Sequence, residues 1–505
     1  MTGSTEAGGA RIRVLLRQSL LYGLGSAGSR STSVVLVPVL TRALSPADYG
    51  RLDLDVSTMF FLAMVLTLGI DVAVWRLFFD LRSERERHDL IVTALAIQAA
   101  VCLPVTALLM ASTGIWVPTV TGQPGQSANV RLLLLAVPMS VLTTTFGTML
   151  RARFQVWRFN TLTLLSFSII VVTTVVAMTT GHRSVTAAVV ASVVGYAASM
   201  VLGTVMLVSN GRGHFSVPLA RGLLRFGVAL IPAALALWTL PLSSRFVLAH
   251  LVGPTAVAQY GVAAKFAAVP MLAIGAFQSA WGPFALSIMN RPDAARVYAR
   301  VFALMMVAGA TLTAALAVVT PPLIRVALTS AYLPAAPLVA WLTLGTVFTG
   351  LHFVTSIGPT IVKRPGVITV ALVAGAAVAL FGTLILVPVL GAEGAAIANA
   401  VGLGLSAYLP SRLTRRSYPV AYSLRPVLAP LAAATAFAFL GTHLTLSSTP
   451  ADLAMRLGLL VLYAVVVGRW LRRDGILAGL RRSAAPLVSS APASVAVGDP
   501  QVATI

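Results

Sequence analysis

The feature that most constrains this chain is a recurring apolar stretch of about 20 residues, the length that a helix needs to cross a bilayer. Composition agrees, since 58% of the 505 residues are hydrophobic and 10% are charged, against about 25% in soluble domains. The pattern predicts an all-α polytopic membrane protein with about fourteen transmembrane helices. The predicted spans lie near 18–41, 52–75, 89–112, 131–150, 159–180, 184–209, 226–249, 255–286, 301–320, 331–357, 366–388, 394–411, 426–442 and 453–471.

Lysine and arginine alternate between the gaps that separate these spans. Of the 36 Lys and Arg residues, 27 lie at the two termini and in every second gap, and 7 lie in the opposite gaps or at span edges. Positive residues concentrate on the cytoplasmic side, so the sequence predicts two cytoplasmic termini and an even number of spans. This topology accounts for the net charge of +22 without a nucleic-acid partner.

Arg30 stands near the middle of the first span. A guanidinium stays charged, and at mid-bilayer depth it costs roughly 2.5–3.5 kcal/mol. Ser26, Arg30 and Ser33 recur at helical spacing and share one helix face. We predict that they line a cavity and bind an anionic substrate there. The alternative is an arginine that bonds helix carbonyls between packed spans.

Carboxylates are rare inside the predicted spans. Asp71 is the one placed deep in a span, whereas Asp53 and Asp55 are assigned to the outer end of the second span. Asp71 is predicted to form an ion pair with Arg76 or Arg30, or to bind a coupling proton or sodium ion. The structural pair is the preferred interpretation.

The second half offers further candidates for substrate binding. Lys265 is predicted to supply a second cation, with snorkelling to the outer interface as the alternative. Gln278 and Trp281 are one turn apart and suit sugars by hydrogen bonding and ring stacking, although a packed helix face explains them equally well. Tyr49 and Tyr260, each followed by glycine, are interpreted as anchors at the membrane interface.

A short internal repeat divides the chain. Segments 15–17 and 223–225 open the first and seventh spans with Leu-Leu-Arg, and segments 44–50 and 252–261 follow those spans with Pro and then Tyr-Gly. Spans 1–6 and 7–12 are therefore interpreted as two copies related by an axis along the membrane normal, an arrangement that places substrate between the halves. The predicted units are a disordered tail 1–10, an N-lobe 11–210, a C-lobe 211–416, spans 13–14 in 417–482, and a disordered tail 483–505.

Several segments resemble the polysaccharide-transporter (Wzx-type) oligosaccharide flippase family of the MATE/MurJ-like superfamily. They are 21–23, 38–50, 68–80, 260–267, 276–284 and 391–399. The resemblance implies two six-helix lobes around a central cavity. It also implies alternating access that moves a polyprenyl-diphosphate-linked oligosaccharide across the bacterial cytoplasmic membrane for surface polysaccharide biosynthesis. Spans 13 and 14 would flank a groove for the lipid tail.

Other functions remain open at the level of sequence. A MATE-type cation-coupled exporter of small solutes and a lipid II flippase are the alternatives. An enzyme is not expected, because no loop carries a recognisable acid–base, metal-binding or nucleotide-binding motif. No cofactor or metal is expected. The expected partners are the lipid-linked oligosaccharide, membrane lipids, and the polymerase or glycosyltransferase machinery of polysaccharide synthesis.

Overall fold

The computed structural model describes residues 35–122, 125–209, 213–422, 425–443 and 449–473. Arg30, Ser26 and Ser33 lie outside the described residues, as do most of the first predicted span and the tails 1–10 and 483–505. The described residues form helices joined by short links, which confirms the all-α fold class.

Helices of the first half run from the end of the first predicted span to the end of the sixth. They are α1 (35–43), α2 (Pro46–Thr67), α3 (Ile70–Phe78), α4 (Glu84–Ala111), α5 (Thr113–Thr121), α6 (Ser127–Leu134), α7 (Ala136–Ala152), α8 (Val156–Thr179) and α9 (Val185–Val208). From sequence, segment 113–130 is predicted to be the longest outer loop; its described residues contain the short helix α5 and the start of α6.

Helices of the second half follow in the predicted order. They are α10 (Val217–Leu251), α11 (Pro254–Ala267), α12 (Pro270–Ser287), α13 (Ala294–Ala327), a 3₁₀ helix (Ser330–Ala335), α14 (Ala336–Thr355), α15 (Ile357–Ile361) and α16 (Gly366–Leu413). Two more, α17 (Arg425–His443) and α18 (Thr449–Arg473), coincide with the thirteenth and fourteenth predicted spans.

In the described chain, eight helical stretches are long and apolar enough to cross a membrane. The number rises to as many as ten if α2 with α3, and α11 with α12, each form one bent span. The bends measure 44° and 48°. Helix α16 counts once among the eight, although its 48 residues would reach about 72 Å, more than twice the roughly 30 Å of hydrocarbon. It breaks at Gly391 (φ 57°, ψ −134°), where the sequence predicts a link. The number fourteen stays a prediction.

The start of α2 explains one segment of the sequence pattern. The hydroxyl of Ser45 caps the helix by accepting a hydrogen bond from the Asp48 backbone N–H at 3.1 Å. Pro46 occupies the first helical turn, where its missing N–H costs nothing, and Asp48 places negative charge at the positive end of the helix dipole. The run Ser-Pro-Ala-Asp therefore fixes where α2 begins, and with it the position of every side chain on α2.

Helix α10 crosses from one half to the other and packs against α2, α3 and α4. One contact lies at the break between α2 and α3, where a Cβ added at Gly69 would stand 2.6 Å from the carbonyl oxygen of Gly227 on α10. A Cβ at Gly227 would in turn collide with the carbonyl oxygen of Leu68. We call this backbone-to-backbone approach the inner contact, because the arginine distribution assigns that end to the cytoplasm.

Candidate functional site

A charged cluster joins the two halves at the opposite end, which the arginine distribution assigns to the outside. Asp53, two turns into α2, accepts hydrogen bonds from two cations: Arg245 Nε lies 2.8 Å from its Oδ2, and Lys265 Nζ lies 2.7 Å from its Oδ1. Arg245 belongs to α10 and Lys265 to α11, so three helices meet here. The side chains of Asp53, Arg245 and Lys265 are 11%, 12% and 30% exposed. We call these three residues the outer cluster.

Aromatic rings stack on both cations of the outer cluster. Lys265 Nζ lies 5.2 Å from the ring centre of Tyr49, and the Arg245 guanidinium lies 5.5 Å from that of Tyr260. Tyr49 also meets Tyr332 edge to face, with the ring centres 5.9 Å apart. Faces of aromatic rings attract cations more strongly when water is excluded. The rings therefore support the buried charges and fix their positions.

Close approach of α2 and α11 depends on the glycines that follow the two tyrosines. A Cβ added at Gly261 would lie 2.7 Å from Asp53 Oδ2, and one at Gly50 would overlap the carbonyl oxygen of Pro254. The tyrosines themselves are 2% and 1% exposed. The interpretation of the repeated Tyr-Gly pairs as anchors at the membrane interface is therefore wrong. Among the described residues, they lie where the backbones of the two halves approach most closely.

The charges of the outer cluster are stabilised by pairing, but they do not balance. It holds two cations and one carboxylate, and ions taken out of water are tolerated when they are paired and hydrogen-bonded. Arg245 completes its bonding through Nη1, which donates to the Pro241 carbonyl at 2.6 Å. The excess of one positive charge makes this an environment that attracts an anion once it opens.

A cavity of about 180 Å³ borders the outer cluster on the side of the first half. Its walls come from α1, α2, α6, α8, α9 and α11, with Asp53 and Lys265 at one side. Thr174, Ser192 and Tyr196 add polar groups to a mainly apolar lining. Ligand sites for drug-sized molecules span about 300–1,000 Å³. An oligosaccharide head group would need this space to enlarge.

A second carboxylate on α2 has a contrasting environment. Asp55 is 1% exposed, and within the described part of the chain neither of its carboxylate oxygens has a hydrogen-bond partner. Arg51, one turn earlier, is paired with Asp48 at 3.0 Å. Among the described residues, Asp55 is thus a buried acid without a counter-ion, and burying an unpaired charge is costly. The expectation that Asp53 and Asp55 lie at the outer end of the span gave no hint of this burial.

The pair predicted between Asp71 and Arg76 is not formed among the described residues. Arg76 Nη1 instead lies 2.6 Å from Asp80 Oδ2, and both side chains are more than half exposed. Asp71 is half-buried in the first turn of α3, immediately after the break at 68–69. Its other predicted partner, Arg30, lies outside the described residues, and a role for Asp71 in ion coupling stays a prediction.

The candidates of the second half are separated by the structure. Lys265 joins the outer cluster. Trp281 is 5% exposed, donates from Nε1 to the Phe353 carbonyl at 3.3 Å, and packs on Phe277 with ring centres 5.5 Å apart. This environment agrees with the packed-face alternative for Trp281. Gln278, one turn away, is exposed, and its role in binding sugar stays a prediction.

Sequence reasoning missed two members of the outer cluster. Asp53 and Arg245 each stand near the end of an apolar stretch, which predicts a place at a span edge for both. A signal was nevertheless present near the repeat: Asp53 lies three residues after Gly50, and Lys265 lies four residues after Gly261. Opposite charges about one helical turn after the repeated Tyr-Gly pairs favour pairing between the two copies.

A sequence model of one family covers the first half of the chain and the outer cluster. The family is described as "Polysaccharide biosynthesis protein", and it matches residues 15–289, more than half of the 505 residues. The chain belongs to this family. No curated protein sequence matches it. All three residues of the outer cluster therefore lie in the part of the chain that the polysaccharide biosynthesis family defines.

Solved structures show the same fold. The lipid II flippase MurJ, in an inward closed conformation, covers 90% of this chain and 99% of its own length at 14% identity, with a TM-score of 0.72. An inward-facing MATE multidrug transporter of the MOP superfamily covers 77% and 94% at 15% identity, with a TM-score of 0.60. A MOP superfamily transporter from Pyrococcus furiosus covers 80% and 94% at 14% identity, with a TM-score of 0.53. This family member therefore has a MurJ/MATE-like fold and is a multi-pass membrane protein.

Proposed function

We propose that this protein is a flippase that moves a polyprenyl-diphosphate-linked oligosaccharide across the bacterial cytoplasmic membrane by alternating access. The observation that carries the proposal is the outer cluster, where Arg245 and Lys265 share the single carboxylate of Asp53 between the halves. A diphosphate needs such cations, because hydrocarbon does not solvate it. Family membership and the MurJ/MATE-like fold support the same function, which serves surface polysaccharide biosynthesis.

Binding of the diphosphate begins with an exchange of anions. Lys265 is the most exposed member of the outer cluster and borders the cavity. A diphosphate oxygen takes the place of Asp53 Oδ1 on Lys265, while Arg245 keeps its bond to Asp53 Oδ2. Arg30, Ser26 and Ser33 remain part of the proposal as further ligands, because a planar guanidinium fork binds phosphate oxygens in pairs.

Translocation alternates between the two contacts that join the halves. In this structure both the inner contact, at Gly69 and Gly227, and the outer cluster are formed. Opening to the cytoplasm separates the inner contact and admits the head group. Opening to the outside separates the outer cluster, with the diphosphate replacing the lost carboxylate. The bends of α2–α3 and α11–α12 are the places where each half changes shape.

The moving bodies in this proposal are the N-lobe 11–210 and the C-lobe 211–416. The segment 417–482 accompanies the C-lobe and borders the lipid tail. Both termini face the cytoplasm, as the arginine distribution predicts. The protein acts as a transporter and not as an enzyme, and it receives its cargo from the glycosyltransferase machinery and delivers it to the polymerase.

Two alternatives each have one supporting observation. The structural similarity to the lipid II flippase, with a TM-score of 0.72, favours a peptidoglycan precursor as cargo, which carries the same diphosphate. The buried acid Asp55 favours a cation-coupled exporter, since a carboxylate that changes burial can carry a proton. The cargo assay below separates these functions.

The decisive experiment uses purified protein in liposomes with fluorescent polyprenyl-diphosphate oligosaccharides, lipid II and a cationic dye as three separate cargoes. Dithionite reduction of the outward-facing fluorophore measures lipid flipping, with and without a proton or sodium gradient. Flipping of the oligosaccharide lipid supports the proposal. Transport of the dye alone assigns the cation-coupled exporter, and flipping of lipid II alone assigns the lipid II flippase. Either result overturns the proposal.

A further inference from the structure

A second cavity lies away from the outer cluster, at the end of the first half that the arginine distribution assigns to the cytoplasm. It measures about 340 Å³. Its walls are Phe78 and Phe79 at the end of α3, Glu84 and Arg87 in the first turns of α4, and residues 152–155 after α7. We call it the arginine pocket. From sequence, the charge run 80–89 is interpreted as a solvated surface and Arg153 as a topology signal, so neither explains a lined cavity.

The two arginines of this pocket are held by hydrogen bonds, and each keeps one donor that bonds to none of the described residues. Arg153 is 11% exposed, and its Nη2 lies 3.4 Å from Glu84 Oε2 and 3.0 Å from His88 Nδ1. Arg87, 27% exposed, bonds Glu84 Oε1 at 2.7 Å and lies 5.0 Å from the ring centre of Phe78. Within the described residues, the buried Nε donors of Arg87 and Arg153 have no hydrogen-bond partner.

Charge in the arginine pocket is therefore undercompensated. Glu84 is the acid that faces both guanidinium groups, and it is 68% exposed. Burial lowers the pKa of Arg153 because the cation loses hydration; Glu84 opposes this effect, and the charge of Arg87 adds to it. Two fixed guanidinium groups with free donors match the oxygens of a phosphate.

The surroundings place this pocket at the depth of lipid head groups. Trp75, Phe79, Phe154 and Trp157 expose 43%, 50%, 56% and 70% of their surface, and Trp is enriched where membranes meet water. Phe154 has a φ of 56°, a left-handed conformation that costs energy for any residue other than glycine and that gathers at functional sites.

We propose that the arginine pocket binds the phosphate group of a membrane lipid, with Arg87 and Arg153 as the ligands and Phe79 and Phe154 beside the apolar part of the lipid. The phosphate belongs either to an anionic phospholipid or to the diphosphate of the carrier lipid before it enters the path between the halves. This site is separate from the outer cluster: the phospholipid source does not depend on the proposed flippase activity, whereas the carrier-lipid source rests on it.

Binding is measured with the purified full-length protein in detergent, by polarisation of a fluorescent short-chain phosphatidic acid. Arg87→Gln with Arg153→Gln should weaken binding by about tenfold or more, because two charge-assisted hydrogen bonds are lost. The control is Arg82→Gln with Arg85→Gln, two exposed arginines of the same segment, which removes the same charge and should change affinity less than about twofold. An equal loss of affinity in both double variants overturns the proposal, since net charge alone would then explain the loss.

Competition identifies the source of the phosphate. Farnesyl diphosphate that displaces the probe better than unlabelled phosphatidic acid assigns the pocket to the carrier lipid, and the reverse order assigns it to a phospholipid. Inorganic phosphate that competes as well as either lipid overturns the lipid assignment. Should the double variant fail to fold, as judged by gel filtration, Arg87→Gln alone gives the test, because its partly exposed side chain is replaced without emptying the buried site.

Discussion

Asp53 and Asp55 lie two residues apart on α2, on different faces of the helix, and their surroundings predict opposite effects of the same substitution. Asp53→Asn leaves Arg245 and Lys265 buried without a counter-charge, which typically costs about 3–5 kcal/mol. Asp55→Asn replaces a buried carboxyl that has no hydrogen-bond partner among the described residues with an uncharged amide, so stability should be unchanged or higher. Thermal unfolding in detergent measures both, and a larger loss for Asp55→Asn would contradict this account.

The chain offers a matched pair of lysines for testing transport. Lys265→Gln should lower the rate of lipid flipping by about tenfold or more, because it removes a charge-assisted bond to the diphosphate. Lys363, the only other lysine, is exposed in the link between α15 and α16, and Lys363→Gln should flip lipid at the normal rate. Equal rates for the two variants would remove Lys265 from the substrate path.

Packing of helices in a membrane relies on small residues that let backbones approach, and the α2–α11 contact is the clearest case here. Gly50→Ala places a methyl group against the Pro254 carbonyl and should cost about 1–3 kcal/mol through overpacking. Gly275→Ala is the control, since a Cβ there meets nothing within 4 Å and alanine favours the helix. In denaturing detergent, Gly50→Ala should unfold more readily than the wild type, and Gly275→Ala less readily.

Helix α18 is attached to the rest of the protein by a buried arginine. Arg456, 1% exposed, bonds Asp452 at 2.9 Å, the Val318 carbonyl of α13 at 2.8 Å and the Gly441 carbonyl of α17 at 2.5 Å. Arg456→Met should loosen α17 and α18 from α13, because it leaves buried carbonyl oxygens unsatisfied. Hydrogen exchange in α17 and α18 should rise, whereas the exposed Arg469→Met on α18 should not change it.

Sequence patterns predicted the elements well and the contacts between them poorly. Helix boundaries follow from apolar length and from caps such as Ser45-Pro46, which act within a few residues. The partners of Asp53 lie 192 and 212 residues away, and charges near the ends of apolar stretches look the same whether they face water or another helix. The same ambiguity applies to Arg456, whose place just inside the start of the last apolar stretch predicts a span edge and not a buried contact.

For the molecule as a whole, the outer cluster should set the balance between closed and open states. In a Cys102→Ser background, which removes the single cysteine, spin labels at Thr119 of α5 and Leu251 of α10 report the distance between the halves at the outer end. Both positions are exposed. Asp53→Asn should shift the distance distribution to longer values. An unchanged distribution would mean that the glycine-mediated packing alone keeps this end shut.

The charges of the outer cluster lie on three different helices, α2, α10 and α11. No one of these helices carries both an acid and a cation of the cluster. A lineage that loses the carboxylate at position 53 alone inherits two uncompensated cations, whereas one that loses the cation at position 265 alone keeps a one-to-one pair between Asp53 and Arg245. Loss of the carboxylate at position 53 should therefore arrive together with changes at positions 245 and 265 among relatives.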